Sequence, residues 1–152
     1  MRLEWLVDVI VTDSTPAARA AMKATQTIPI VLAIAADPVG TRLVASLAHP
    51  GANVTGNTSV NTELSGKRLQ LLREVIPNLT RVAVVMNPDN SSNVVGWEDA
   101  QNAALKQGVR LRRLNVRGES DPDRELPTVT SWRPDALWVF DDVVPPNILQ
   151  KL

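Results

Sequence analysis

The sequence predicts an α/β protein of parallel sheets flanked by helices. Short apolar runs alternate with helical stretches along the whole chain, the signature of βαβ units. The first run, Val7–Val11, is rich in Val and Ile, as a buried parallel strand is. Several runs end in Ser, Thr, Asp, Asn or Pro leading into a helical stretch, the usual chemistry of a helix start.

After Val7–Val11, Ser14-Thr15-Pro16 supplies a hydroxyl cap with proline at the first helical position, and Ala17–Thr25 forms the helix. Ile28–Ala33 is the second strand. Asp37 reads as an N-cap with Pro38 in the first turn, and Val39–Ala48 as the next helix, ended by Pro50-Gly51. Ala52–Thr55 is a short third strand. Residues 56–63 are polar and aperiodic, which places a boundary there and divides the chain into 1–58 and 59–152.

Beyond the boundary a helix spans about Thr62 to Ile76, with Leu64, Leu71, Leu72 and Val75 expected on one face. Val82–Met86 is a strand, residues 87–92 (NPDNSS) a turn and cap cluster, and Val94–Gln107 a helix closed by Gly108. Val109–Val116 alternates apolar residues with Arg, as a strand near a sheet edge does. Arg124–Ser131 is a helix interrupted by Pro127, and Ala136–Phe140 is a last strand with Asp141-Asp142 just past its end.

Composition narrows the chemistry. The 152 residues carry 16 basic and 16 acidic side chains, so there is no basic excess to favour nucleic acid. The absence of cysteine excludes disulfides, thiolate metal sites and cysteine nucleophiles, and the single histidine, His49, argues against a histidine triad or a multi-histidine metal site. No metal or other cofactor is expected. Phosphate-loop, nucleophile-elbow and zinc-helix motifs are missing. No run reaches bilayer-spanning length, so direct membrane insertion is not expected. Glu4 and Asp8 interrupt the first apolar run, which therefore does not read as a signal peptide. Taken literally that predicts a cytoplasmic chain, an expectation reversed below.

Open α/β sheets bind ligands beyond the carboxyl ends of their strands. Four such ends supply the candidate ligand-binding residues: Asp13, Ser14 and Thr15; Asp37, Pro38 and Val39; Asn87, Asn90, Ser91 and Ser92; and Asp141 with Asp142. Helix N-termini suit a carboxylate or phosphate, the hydroxyls add donors, and Asp37, Asp141 or Asp142 could take an ammonium group. Such a set fits a small zwitterion or another polar metabolite. The same residues also serve as ordinary caps, each worth about 1 kcal/mol. His49 is expected in an exposed turn, Trp5, Trp97, Trp132 and Trp138 in packing (Trp97 with the option of reaching a cleft), and Arg110, Arg112 and Arg113 on a solvated strand face.

The stretch VDVIVTDSTPAARAAMKATQTIPIVLAIAADPVGTRLVASLAHPGANVTG, followed by SGKRLQLLREVIPNLTRVAVVMNPDN, resembles the ABC transporter substrate-binding proteins of the tryptophan/tyrosine type. The likeness is dense from Val7 to Asn90 and continues in register to about Val144. It implies a two-lobed type I periplasmic-binding-protein fold, here incomplete, whose α/β lobes close on a small ligand, possibly an amino acid, and then dock on a membrane permease. It implies a periplasmic or extracytoplasmic location and no catalysis. Family members carry an export signal and two further βα units ahead of the position of Val7, and continue beyond Leu152. The chain is accordingly expected to be a fragment with an apolar edge and face exposed in its first lobe, of low stability and without tight ligand binding. The alternatives are a small flavodoxin-like or nucleotide-binding enzyme domain, which would need cofactor contacts the sequence does not show, and a response-regulator-like domain, which would need a lysine at a strand end.

Overall fold

The computed structural model describes residues 7–59, 64–118 and 120–140. Trp5, Asp141 and Asp142 lie outside them. The chain divides into two compact units, residues 1–62 and 63–152.

The first unit holds β1 (Ile10–Thr12), α1 (Thr15–Ala24), β2 (Ile30–Leu32) and β3 (Val54–Gly56) in a parallel sheet of order β1-β2-β3. β1 and β3 each begin later than the alternation suggested, and β2 is shorter than its apolar run. Ile10, Ile30 and Val54 are aligned across the sheet, as are Thr12, Leu32 and Gly56. Ile10, Ile30, Leu32 and Val54 form a core with Ala18 and Ala21 of α1 and with Leu43. The alternate row, Val11, Val31 and Thr55, faces the other way. It is largely open: Val11 is 67% exposed, Thr55 is exposed and Val31 half-buried, and Val7 and Val9 are exposed as well. The exposed apolar face expected of the first unit is therefore present.

The helix expected over Val39–Ala48 does not form. Residues 38–45 fold as consecutive turns. The cause is backbone geometry: Arg42 has φ +58, which no α-helix accommodates. After it, the amides of Leu43 and Val44 both turn back to the Pro38 carbonyl, and that of Ala45 bonds the Pro50 carbonyl.

The second unit holds α2 (Ser65–Val75), β4 (Arg81–Met86), α3 (Ser91–Gln107), β5 (Arg110–Asn115), α4 (Asp121–Trp132) and β6 (Ala136–Val139). The parallel sheet has order β5-β4-β6, with every residue of β4 from Val82 to Met86 buried. Both faces are covered. Val82, Val84 and Met86 pack with Leu69 of α2 and with Trp97, Ala100 and Ala104 of α3, and Ala83 and Val85 pack with Leu114 and with Val129 of α4.

Two expectations about these helices are corrected. The inward stripe of α2 is Ser65, Leu69, Leu72 and Ile76, spaced at helical intervals, while Leu64, Leu71 and Val75 are exposed, Val75 at 80%. α4 runs through Pro127 instead of breaking there. An interior proline costs about 3 kcal/mol; Leu126 and Val129, packed against the sheet, hold the helix across it. Trp97 packs in the core, as expected, with Arg113 over its ring at 5.2 Å. Asp135 fastens the start of β6 to that of β4, its Oδ2 accepting from the Thr80 amide, the Thr80 hydroxyl and the Arg81 amide at 2.8, 2.9 and 2.8 Å.

Candidate functional site

In the first unit the loops at the carboxyl end of the sheet are knit together. The Ala33 amide donates to the Thr12 carbonyl, the Asn57 amide to the Leu32 carbonyl and the Ser59 amide to the Ala35 carbonyl. Ser14 caps α1, its hydroxyl accepting from the Ala17 amide at 3.4 Å. Thr15 is buried and Asp13 exposed.

Asp37 is not an ordinary N-cap. It has φ +42, and its Oδ1 accepts from the Gly40 amide at 2.8 Å while its carbonyl accepts from the Thr41 amide and hydroxyl. A Cβ at Gly40 would run into the Asp37 carboxylate, which would have to swing aside and give up its bond to the Gly40 amide. Gly56 is more tightly constrained: φ is +138 and a Cβ would meet the Leu32 carbonyl oxygen at 2.2 Å. The Arg19 guanidinium donates to the Thr41 carbonyl at 2.6 Å and ties α1 to this turn. Pro38 is buried and Val39 exposed.

A cavity of about 330 Å³ lies at this end of the unit, lined among others by Leu32, Pro38, Gly56, Asn57 and Thr58. Its size suits a small metabolite. Asn57 and Thr58 were not anticipated because they fall in the aperiodic stretch taken as a boundary. Thr12, at the head of the first of these loops, is buried at the carboxyl end of β1, and among the described residues its hydroxyl oxygen has no hydrogen-bond partner.

In the second unit, Asn90 is 4% exposed and caps α3, its Oδ1 accepting from the Ser92 amide at 3.1 Å and the Ser92 hydroxyl at 2.8 Å. Asn87 Oδ1 accepts from the Asp89 amide, and the Asn87 amide donates to Asn93 Oδ1. Asn90 and Ser92 are thus occupied in building the helix start, whereas Asn87 and Ser91 are part-exposed beside it.

The sequence did not show the ion pair at this end. Arg117, two residues past β5, places Nε 3.2 Å from Asp89 Oδ2. The Arg117 amide donates to Asp121 Oδ2 at 2.8 Å, and that bond is the main cause holding the Asp121 carboxyl below its ordinary range, with Arg124 adding to it. Only the pairing of β4 with β5, which aligns Met86 with Asn115, brings these charges together. Among the described residues no cluster of His, Cys, Asp or Glu could hold a metal ion, and no helix is long and apolar enough to cross a membrane.

A binding protein whose ligand lies at the carboxyl ends of parallel sheets is the class this arrangement suits. Residues 5–143 match the family model described as ABC transporter substrate binding protein, and the chain belongs to that family. It is 28% identical over 135 residues to a tyrosine-binding protein of Clostridioides difficile (strain R20291), covering 89% of this chain and 38% of that protein. It superposes on the ABC domain in complex with L-Trp from Streptococcus pneumonia with a TM-score of 0.85 at 26% identity, covering 97% of this chain and 49% of the other. A conserved domain protein from Vibrio cholerae gives a TM-score of 0.77 at 33% identity, over 86% of this chain and 43% of that one. The fold is accordingly a partial type I periplasmic-binding-protein fold. The chain spans half or less of the length of these relatives. The family is one of binding proteins and not of enzymes, which decides against the flavodoxin-like enzyme alternative.

Proposed function

We propose that the chain carries part of the solute-binding component of an ABC-type importer, taking a small amino-acid-like metabolite through the carboxyl-end loops of its two units. The observation that carries this is the cavity beside Pro38 and Asn57, at the end of the sheet where α/β proteins hold ligands. In this reading the amide end of α1, with Ser14 and Thr15, receives the ligand carboxylate, and the second unit offers a helix start of the same kind at α3, with Ser91. Asp37, with Oδ1 held by Gly40, offers its second oxygen to the ammonium group. Asp13, Pro38, Val39, Asn87, Asn90 and Ser92 shape or support those loops, and Asp141 and Asp142 extend the set. The partner of the loaded protein is an ABC permease, and the location extracytoplasmic, as the family implies.

The relatives that bind Tyr and Trp make aromatic amino acids the first ligands to try. The test is a nitrogen-15 amide spectrum of the chain titrated with L-Trp, L-Tyr and L-Leu. The expected result is weak binding, with shifts concentrated at residues 14–17, 37–41, 57–59 and 91–93. No shift with any amino acid, or shifts confined to other parts of the chain, would overturn the proposal.

A further inference from the structure

Among the described residues β5 is an edge strand, and its sequence, RLRRLN, makes it the most basic of their strands. Its backbone is half used. The Arg110 amide donates to the Thr80 carbonyl and the Val116 amide to the Met86 carbonyl. In a parallel ladder alternate residues bond the same neighbour. Residues 110, 112, 114 and 116 therefore face β4, and the backbone groups of Leu111, Arg113 and Asn115 point away from it, along the free edge.

The side chains along that edge are fixed and cationic. Arg112 lies over the ring of Trp132 on α4, 5.9 Å from its centroid, and Arg113 lies over Trp97 on α3 at 5.2 Å. The two stack on opposite sides of the strand, so the edge carries a guanidinium on each face. Among the described residues no carboxylate pairs with Arg110, Arg112 or Arg113. Next to them is a cavity of about 450 Å³, lined by Gln101, Leu105, Leu111, Trp132 and the two arginines at 110 and 112. Leu105 is 79% exposed on its rim.

We infer that this edge binds an acidic peptide segment in extended conformation, added as a further strand beside β5. An incoming strand would satisfy the outward amides and carbonyls of Leu111 and Arg113. Its carboxylates would meet the arginines, and an apolar residue would enter the cavity beside Leu105 and Trp132. Charge complementarity selects this occupant. A second copy of the chain would bring arginine against arginine, which disfavours edge-to-edge self-pairing, while an acidic strand meets no such barrier. Outward amides and carbonyls alternating at strand spacing match the amides and carbonyls of a peptide; a nucleic-acid backbone offers acceptors to the amides but no regular row of donors to the carbonyls, which favours the peptide. The inference does not depend on the ligand proposed above, since it uses a different part of the second unit.

The experiment uses the full chain and a fluorescein-labelled decapeptide of alternating Glu and Val, followed by fluorescence anisotropy and by amide hydrogen exchange. The expected result is saturable binding with slowed exchange at Leu111 and Arg113, and no binding of the Lys-Val counterpart. Arg110→Glu combined with Arg112→Glu, with circular dichroism unchanged, is expected to weaken binding at least about tenfold. Failure of the Glu-Val peptide to bind the unmodified chain would overturn the inference and leave the arginines as guards of an unused edge. Equal binding of a ten-residue oligothymidylate, or binding without slowed exchange at Leu111 and Arg113, would overturn it in favour of a general anion patch.

Discussion

The two units use the same architecture, a three-stranded parallel sheet with its ligand-side loops at the carboxyl ends, yet they differ in how the sheet is covered. In the second unit every β4 residue from Val82 to Met86 is buried, because helices pack on both faces. In the first unit the row containing Ile30 is packed under α1 and the row containing Val11 lies open. Parallel sheets are ordinarily covered on both sides, so half of the burial available to the first sheet is missing. Among the described residues the first unit also holds three of the four non-glycine residues with positive φ, Asp37, Arg42 and Ala52, which load it with local strain. A sheet with one open face and strained loops is expected to be the less stable of the two, and it carries the cavity on which the proposed function rests. The proposed ligand binding is expected to be weak for that reason.

The comparison can be tested by breaking each unit in turn. Leu69 is fully buried between α2 and the second sheet, so Leu69→Ala is expected to cost about 2–5 kcal/mol. Urea unfolding followed by circular dichroism would read it, with the loss confined to amides of the second unit. Next comes Gly56→Ala in the first unit. A Cβ there collides with the β2 backbone at positive φ, and a loss of at least about 1 kcal/mol is expected, read as faster hydrogen exchange in β2 and β3.

A smaller effect distinguishes the units by pH. The amide of Thr80 is the largest of the hydrogen bonds that hold the Asp135 carboxyl below its ordinary value of 3.8. A depressed folded-state pKa gives stability that is present above the unfolded value and lost as pH falls through the folded one. The second unit is therefore expected to weaken below about pH 4, and Asp135→Asn to flatten that acid limb in a pH series of urea unfolding curves. Smallest of all is Val11→Thr on the bare face, expected to change stability by less than about 0.5 kcal/mol. A loss above about 2 kcal/mol would mean the face is covered after all.

Much of this asymmetry was legible in the sequence, and what was not has physical causes. The six strands among the described residues were found because Val/Ile runs, and in β5 an apolar–Arg alternation, are strong local signals, and Ser14, Asn90 and Gly108 fill the helix-end roles their chemistry predicts. The segment after Pro38 was misread because the left-handed backbone at Arg42 leaves no trace in an Ala- and Leu-rich pattern. The buried face of α2 was misassigned because Leu64, Leu71 and Val75 are as apolar as the stripe that packs. Of the candidate site, the loops were legible and the partnerships were not. That Asp89 meets Arg117 depends on strand pairing across about thirty residues of chain.

The most direct measurement is native-state hydrogen exchange of the whole chain, comparing the β2 amides of Val31 and Leu32 with the β4 amides of Val84 and Val85. A fully covered second sheet beside a half-covered first predicts exchange at least about a hundredfold slower in β4 than in β2. Equal protection, or slower exchange in β2, would contradict the account.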